Sequence, residues 1–179
     1  MKHFKSISIS VIFVFFFVST LFTQAPDTLW TRTYGGDNQD IGYSIEVLPK
    51  GEFIIVGETK SFGFGNRDVY LIKTDSLGEV LWTKTYGGIE NDGGRVIRRS
   101  YDGGFIIAGY TESFDPGVCN IYLIKIDSLG DIIWTRTYGG IIANSSYSVK
   151  NTIDNGYIIA GKSSLHGFRD IDFYIHKLK

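Results

Sequence analysis

The segment Trp30-Thr-Arg-Thr-Tyr-Gly-Gly36 returns twice in the chain, as Trp82-Thr-Lys-Thr-Tyr-Gly-Gly88 and as Trp134-Thr-Arg-Thr-Tyr-Gly-Gly140. Successive copies start 52 residues apart and need no insertion to align. Between the first two copies, 26 of the 52 positions carry the same residue. A period of roughly 50 residues is typical of propellers and solenoids, in which each repeat is a structural unit that stacks on the next.

Each period contains four strand-like runs separated by turn residues. In the first copy these runs lie at about 43–48, 52–59, 68–74 and 79–86. Their apolar residues stand at consecutive positions, which indicates strands that are covered on both faces. Turn pairs that favour positive φ separate the first two runs of each copy, namely Lys50-Gly51, Asp102-Gly103 and Asn155-Gly156.

These patterns predict an all-β, β-propeller-like fold with about three four-stranded antiparallel blades. We expect a signal peptide at 1–25 and a repeat domain at 26–179, with repeats at about 30–81, 82–133 and 134–179. Propellers usually have about four to eight blades. Three blades therefore predict an incomplete ring or half of an oligomeric one, such as a homodimer that completes a six-bladed ring. A β-sandwich is the alternative fold.

The N-terminal segment has the composition of a secretory signal. Lys2, His3 and Lys5 precede the apolar run 7–22, and the small residue Ala25 follows. We expect cleavage after Ala25 and a secreted or cell-surface protein. The alternative is an uncleaved membrane anchor, for which the apolar run is short.

The repeat pattern resembles that of a known family. In the first copy it runs through Trp30–Gly36, Asp40, Gly51–Thr59 and Asp68–Trp82. This combination is similar to the SBBP-type bacterial β-propeller repeat. The resemblance implies an exported or cell-surface bacterial protein and assigns no activity. The third copy departs from the pattern, because Asn144 replaces the aspartate of the other two copies.

Composition excludes some classes of function. Eighteen Lys and Arg against 19 Asp and Glu give a net charge of −1, so we expect no nucleic-acid partner. The single cysteine, Cys119, allows no internal disulfide. No catalytic residue is assigned from the sequence. We expect a non-catalytic binding or scaffold module with a surface glycan or protein as partner.

Candidate ligand residues are those at which one copy departs from the others. Arg95, Arg98 and Arg99 form a basic group in the second copy alone, and His166 and Arg169 form a second group. A basic surface of this kind fits an acidic glycan or a phosphate. The alternative interpretation is a solvated strand face.

Calcium is the one metal for which the sequence offers ligands, and no organic cofactor is assigned. Its candidate ligands are hard oxygen donors in the loops that follow the Gly-Gly pairs, namely Asp37, Asp40, Glu90 and Asp92. Lys73, Lys125 and Lys177 recur within apolar strands. We expect them to pair with acidic residues such as Asp75 and Asp127, or to reach solvent at an edge.

An enzymatic alternative remains, in which the chain is a fragment of a propeller enzyme. The motif Asp75-x-x-Gly78-x-x-x-Trp82 resembles the tryptophan docking motif of quinoprotein propellers, with one residue fewer between Asp and Gly. The resemblance implies a quinoprotein-like oxidoreductase. A glycan-active hydrolase is the other enzymatic alternative. It would need two opposed carboxylates, and Asp and Glu are too common in the loops for the sequence to select a pair.

Expression with export in a bacterial host tests the signal-peptide prediction. We expect mass spectrometry of the released protein to give Pro26 as its first residue, because a short apolar segment followed by a small residue is a signal-peptidase site. Protein that keeps residues 1–25 and stays in the membrane fraction would identify an anchor instead.

Overall fold

The computed structural model describes residues 27–114, 118–139, 143–164 and 171–179. Residues 27–31 have no regular secondary structure, and Arg32–Lys179 forms a separate compact unit. The described residues of that unit form β-strands and one short 3-10 turn at Pro49–Gly51. Its strands are β1 (Asp40–Val47), β2 (Phe53–Thr59), β3 (Asp68–Thr74), β4 (Val80–Tyr86), β5 (Asp92–Arg99), β6 (Phe105–Thr111), β7 (Asn120–Ile126), β8 (Ile132–Tyr138), β9 (Asn144–Asn151), β10 (Tyr157–Ser163) and β11 (Asp172–Leu178).

The strands form three antiparallel sheets in which neighbours in sequence are neighbours in space. The first sheet has the order β1-β2-β3-β4, the second β5-β6-β7-β8 and the third β9-β10-β11. The prediction of an all-β chain with four antiparallel strands in each of the first two copies is confirmed. No closed ring is formed among the described residues.

The first strand of each copy begins earlier than the sequence predicts. β1 starts at Asp40 rather than at position 43, and its pairing with β2 shifts between Gly42 and Ser44. The same shift lies between Gly94 and Val96 in β5. A β-bulge of this kind interrupts the alternation of side chains, so the sequence pattern does not show the start of the strand.

Tight hairpins join the first two strands of each sheet. Lys50 and Asn155 adopt left-handed φ values of 72° and 60°, as the turn residues predict. In the second copy, Gly103 has φ of 86°, whereas Asp102 stays in the ordinary region. The Asp102 side chain instead forms an ion pair with Lys125.

Two apolar layers hold the three sheets together. The first layer lies between the first and second sheets, and the second layer lies between the second and third sheets. The second sheet is covered on both sides, so that every residue of β6 and β7 is buried. The first layer contains Leu48, Ile54, Val56, Val69, Leu71, Tyr86, Ile97, Phe105, Ile107, Tyr122, Ile124 and Ile126. The second contains Val96, Ile106, Ala108, Ile121, Leu123, Val149 and Ile159.

The first sheet has an outer face that the described residues cover only in part. We call it the leading face. Cross-strand pairing places Ile45 beside Ile55 and Ile72 on this face, and 54% of Ile45 is exposed. The leading face consists of Ile45, Phe53, Ile55, Tyr70 and Ile72.

The third sheet has a corresponding outer face, which we call the trailing face. Phe173 and Ile175 lie on it with exposed fractions of 78% and 60%. The trailing face consists of Lys150, Ile158, Ala160, Lys162, Phe173 and Ile175. The expectation that every sheet is buried on both faces is therefore correct for the second sheet. It is wrong for the trailing face and for Ile45 on the leading face, whereas Tyr70 and Ile72 of the leading face are buried.

A matched pair of substitutions tests this arrangement of layers. Leu123 is fully buried in β7, whereas Ile175, at the same position of the third copy, is 60% exposed. We expect Leu123→Ala to lower the free energy of unfolding by about 2–5 kcal/mol, because it leaves a cavity. Ile175→Ala should cost less than about 1 kcal/mol. Urea unfolding of the dilute protein measures both, and equal losses would contradict the layer order.

Candidate functional site

The predicted basic group is divided among separate contacts. The Arg95 guanidinium lies 3.5 Å from the Glu58 carboxylate and 4.0 Å from the centre of the Tyr43 ring. Arg98 Nη1 lies 2.9 Å from Glu46 Oε1, across the gap between the first and second sheets. Two of the three arginines thus join neighbouring sheets.

Arg99 differs from the other two arginines. Its side chain is exposed, and its backbone carbonyl accepts a 2.7 Å hydrogen bond from Asn151 Nδ2 of the third sheet. Arg99 is therefore the member of the predicted group that solvent reaches most freely. His166 and Arg169 lie outside the described residues.

Glu58 is a buried carboxylate that the sequence analysis did not select. Only 2% of its surface is exposed. It forms an ion pair with Arg67, and its Oε2 accepts a 3.0 Å hydrogen bond from the Tyr110 hydroxyl. Burial and the nearby Glu58 charge raise the pKa of Tyr110. The sequence did contain a signal for Glu58, because it stands at a position where the three copies differ. Tyr110 and Lys162 occupy this position in the later copies.

The aspartates at the starts of β1 and β5 brace their own loops. The Asp40 carboxylate accepts hydrogen bonds from Gly36 N at 2.8 Å and from Ser61 Oγ at 2.7 Å. Asp92 accepts the corresponding bonds from Gly88 N at 2.7 Å and from Ser113 Oγ at 2.6 Å. Burial alone would raise the pKa of Asp40, yet these bonds and one from Thr59 lower it.

The predicted calcium ligands are not brought together as one set. Asp40 belongs to the first copy and Asp92 to the second, and each is committed to its own loop. Asp37 and Glu90 are exposed on those loops. Among the described residues, no group of three acidic, histidine or cysteine side chains is placed to hold a metal ion. Calcium binding stays a prediction.

Two buried carboxylates meet at Gly87, and one of them was not predicted. A Cβ atom at Gly87 would lie 2.3 Å from Asp68 Oδ1 and 2.6 Å from Asp92 Oδ2, so only glycine fits between them. Asp68 and Asp92 are 2% and 0% exposed. Desolvation raises the pKa of Asp68, and the Asp92 charge adds to this effect. In the next copy, asparagines take both positions, as Asn120 and Asn144.

The recurring lysines have partners other than the predicted ones. The acidic residue in each case comes from the turn between the first two strands of the same sheet, because that turn lies beside the third strand. Asp75 and Asp127 instead accept backbone hydrogen bonds within their own turns. The observed pairs are Lys73 with Glu52 at 2.9 Å, Lys125 with Asp102 at 2.8 Å and Lys177 with Asp154 at 2.9 Å.

Lys125 is the most deeply placed of these cations. Its side chain is 4% exposed, and its ammonium also donates to the Ile126 carbonyl at 3.2 Å. The hydrogen bond from Lys125 holds the pKa of Asp102 below its usual value. Asp102 therefore serves as the counter-charge of a buried lysine.

A cleft of about 400 Å³ lies beside Lys125, between β8 and the third sheet. Its walls include Trp134, Arg136, Tyr138 and Tyr157. The Trp134 and Tyr157 rings lie in an edge-to-face arrangement, with 6.3 Å between the ring centres. The cleft thus places aromatic rings beside charged groups.

The described part of the chain contains no helix that is long and apolar enough to cross a membrane. Comparison of the chain with protein-family models and with curated proteins gives no match. The SBBP resemblance therefore stays a prediction from the residues.

Asparagine at position 68 tests the cost of the buried carboxylate pair. Because the folded state raises the pKa of Asp68, ionisation destabilises the fold as the pH rises above the ordinary carboxyl value. We expect Asp68→Asn to stabilise the protein at pH 8 by on the order of 1 kcal/mol, a rise in Tm of about 2–4 °C. The gain should shrink towards pH 4.

The exposed Asp37→Asn is the matched control and should not change Tm with this pH dependence. Calorimetry of both variants between pH 4 and pH 8 makes the measurement. A pH-independent effect of Asp68→Asn would show that ionisation of Asp68 carries no cost.

Proposed function

We propose that the chain is an exported β-propeller-type repeat protein that acts as a non-catalytic binding or scaffold module. The support is the 52-residue correspondence between sheets of the same strand order. The resemblance to the SBBP-type bacterial repeat supports the same interpretation. Export rests on the signal-like composition of residues 1–25.

The observation that carries this proposal is the character of the two end faces. Phe173 and Ile175 on the trailing face and Ile45 on the leading face are all more than half exposed. Their counterparts in the second sheet, Ile121, Leu123 and Ile97, are at most 1% exposed. Exposed apolar residues that are grouped on one sheet face are characteristic of protein interaction surfaces.

The geometry of the quinoprotein-like motif favours a module over an enzyme. The Asp75 carboxylate accepts hydrogen bonds from Leu77 N at 2.8 Å and Glu79 N at 2.9 Å. Gly78 has φ of 79°, which closes the same turn. Trp82 packs against the apolar layer between the first and second sheets. The motif thus has a structural use in the hairpin and in sheet packing.

An acidic surface glycan remains the proposed small ligand, with Arg99 as its first contact. Arg95 and Arg98 already form ion pairs with Glu58 and Glu46, so their positive charges are less available to an anionic ligand. Calcium is proposed as an accessory ion at the loops that carry Asp40 and Asp92.

Two binding assays test the proposal against the enzymatic alternative. We expect pyrroloquinoline quinone with Ca²⁺ to leave the absorbance and Tm of the purified protein unchanged. An array of acidic glycans should give signals that Arg99→Ala weakens by roughly tenfold or more, the value of one charge-assisted hydrogen bond. Lys60→Ala, which removes another solvent-exposed cation, is the matched control.

A saturable absorbance change with the quinone would support the oxidoreductase alternative and overturn the proposal. Release of sugars from any arrayed glycan would do the same in favour of a hydrolase. Glycan binding that Arg99→Ala leaves intact would remove Arg99 from the proposed contact.

A further inference from the structure

We propose that the cleft beside Trp134 binds an acidic turn of a partner protein, in which a glycine precedes an aspartate or a glutamate. The inference rests on the proposed module function and names the kind of partner. Its basis is that the chain holds two turns of this kind within itself. The side chains that hold them recur in the wall of the cleft.

The first of these turns lies at Gly78 and Glu79, between β3 and β4. Arg32 Nη2 lies 2.9 Å from Glu79 Oε1. The Tyr34 hydroxyl donates a 2.8 Å hydrogen bond to the Gly78 carbonyl. A cation and a tyrosine two residues later thus hold an acidic side chain and the carbonyl that precedes it.

The second turn lies at Gly130 and Asp131, between β7 and β8. Lys84 forms an ion pair with the Asp131 carboxylate, and the Tyr86 hydroxyl donates to the Gly130 carbonyl at 2.7 Å. The ion pairs join residues 47 positions apart in both copies, and the hydroxyl bonds join residues 44 positions apart. The same contact therefore occurs in two successive copies.

The glycine of the second turn lies directly against an indole ring. A Cβ atom at Gly130 would lie 3.0 Å from the Trp82 ring and 3.1 Å from the Lys84 side chain. Gly130 also has φ of 84°, a conformation that favours glycine. The tryptophan surface therefore accepts a glycine followed by an acidic residue and has no room for a larger side chain at the first position.

The third set of these side chains lines the cleft of about 400 Å³. Trp134, Arg136 and Tyr138 stand one period after Trp82, Lys84 and Tyr86, and all three belong to the cleft wall.

Their polar groups are available to a ligand. Within the described ranges Arg136 forms no ion pair, and its guanidinium donates to the Thr135 carbonyl beside it. The Tyr138 ring packs against His176 with 4.5 Å between the ring centres, and its hydroxyl has no hydrogen-bond partner among the described residues. The groups that hold the turn at Gly130 in one copy can therefore hold another turn in the next.

The charge of the cleft favours an acidic occupant. Arg136, Lys125 and Lys179 line it together with one carboxylate, Asp102. Asp102 is already paired with Lys125 at 2.8 Å. The remaining positive charge attracts an anionic side chain.

The internal contacts favour a peptide over a sugar acid. In both turns the tyrosine hydroxyl donates to the peptide carbonyl immediately before the acidic residue. A sugar acid would supply a carboxylate without that adjoining amide carbonyl. The turn at Gly130 is also closed by its own hydrogen bonds, since the Asp127 carboxylate accepts from Leu129 N and Asp131 N at 2.8 Å each. A short peptide can therefore adopt it.

Nuclear magnetic resonance titration with a blocked peptide tests the proposal. The probe has the sequence of residues 126–132, Ile-Asp-Ser-Leu-Gly-Asp-Ile. We expect the indole N–H signal of Trp134 to shift saturably, with a dissociation constant on the order of 0.1 mM, as suits a few polar contacts on one aromatic ring. The indole signal of Trp82 is the internal control and should stay in place, because Gly130 already covers that ring.

Variants on both sides identify the contacts. Arg136→Ala in the protein and Asp131→Asn in the peptide should each weaken binding by roughly tenfold, the value of one charge-assisted hydrogen bond. Gly130→Ala in the peptide should weaken it as well, because the indole leaves no room for a methyl group. Lys60→Ala, which removes an exposed cation outside the cleft, is the matched control and should leave binding unchanged.

Several results would overturn the proposal. They are the absence of a saturable Trp134 shift up to about 5 mM peptide, an equal shift of Trp82, and binding that Arg136→Ala leaves intact. A saturable shift with glucuronate and none with the peptide would assign the cleft to a sugar acid and overturn it too.

These outcomes leave the proposed function to the glycan and quinone assays. Quinone binding or glycan hydrolysis by a protein that still binds the peptide would instead overturn the proposed function and retain the inference.

Discussion

The need to cover both faces of every sheet controls this structure. The strands carry apolar residues at consecutive positions, so a single sheet exposes two apolar faces and is unstable alone in water. Stacking solves the problem for the second sheet, whose strands β6 and β7 are buried throughout. The outer faces at the two ends of the stack have no such neighbour, and there Ile45 and Phe173 remain exposed.

Polar contacts between the sheets select which faces meet. Glu46 with Arg98 and Glu58 with Arg95 are pairs that only one order of sheets brings together. Partly exposed ion pairs add little to stability, whereas a buried carboxylate without its partner is costly. Glu58 therefore contributes mainly by destabilising arrangements of the sheets that separate its carboxylate from Arg95. The repeated apolar layers stabilise the stack of sheets. The residues that differ between copies determine which sheet lies next to which.

The sequence predicted the antiparallel hairpins and the four strands of each of the first two sheets, since these depend on residues near one another along the chain. The third sheet has three described strands rather than the predicted four. The sequence did not predict the partners of the lysines. Lys125 pairs with Asp102 rather than with Asp127 because Asp127 uses its carboxylate within its own turn. The sequence also gave no reason to select Asp68, whose importance depends on its approach to Asp92 across Gly87. Contacts of this kind depend on how two sheets are stacked, which the period alone does not specify.

By itself, then, the amino-acid sequence determined an all-β chain of repeated antiparallel strands at a spacing of 52 residues. Local turn chemistry and apolar runs are sufficient for that, because hairpins form between adjacent segments. Only the tertiary structure decided that Arg95 and Arg98 face carboxylates, that Arg99 faces solvent and that a cleft opens beside Trp134. The physical reason is that burial and pairing of a side chain depend on the neighbouring sheet, and the ends of a stack have a neighbour on one side alone.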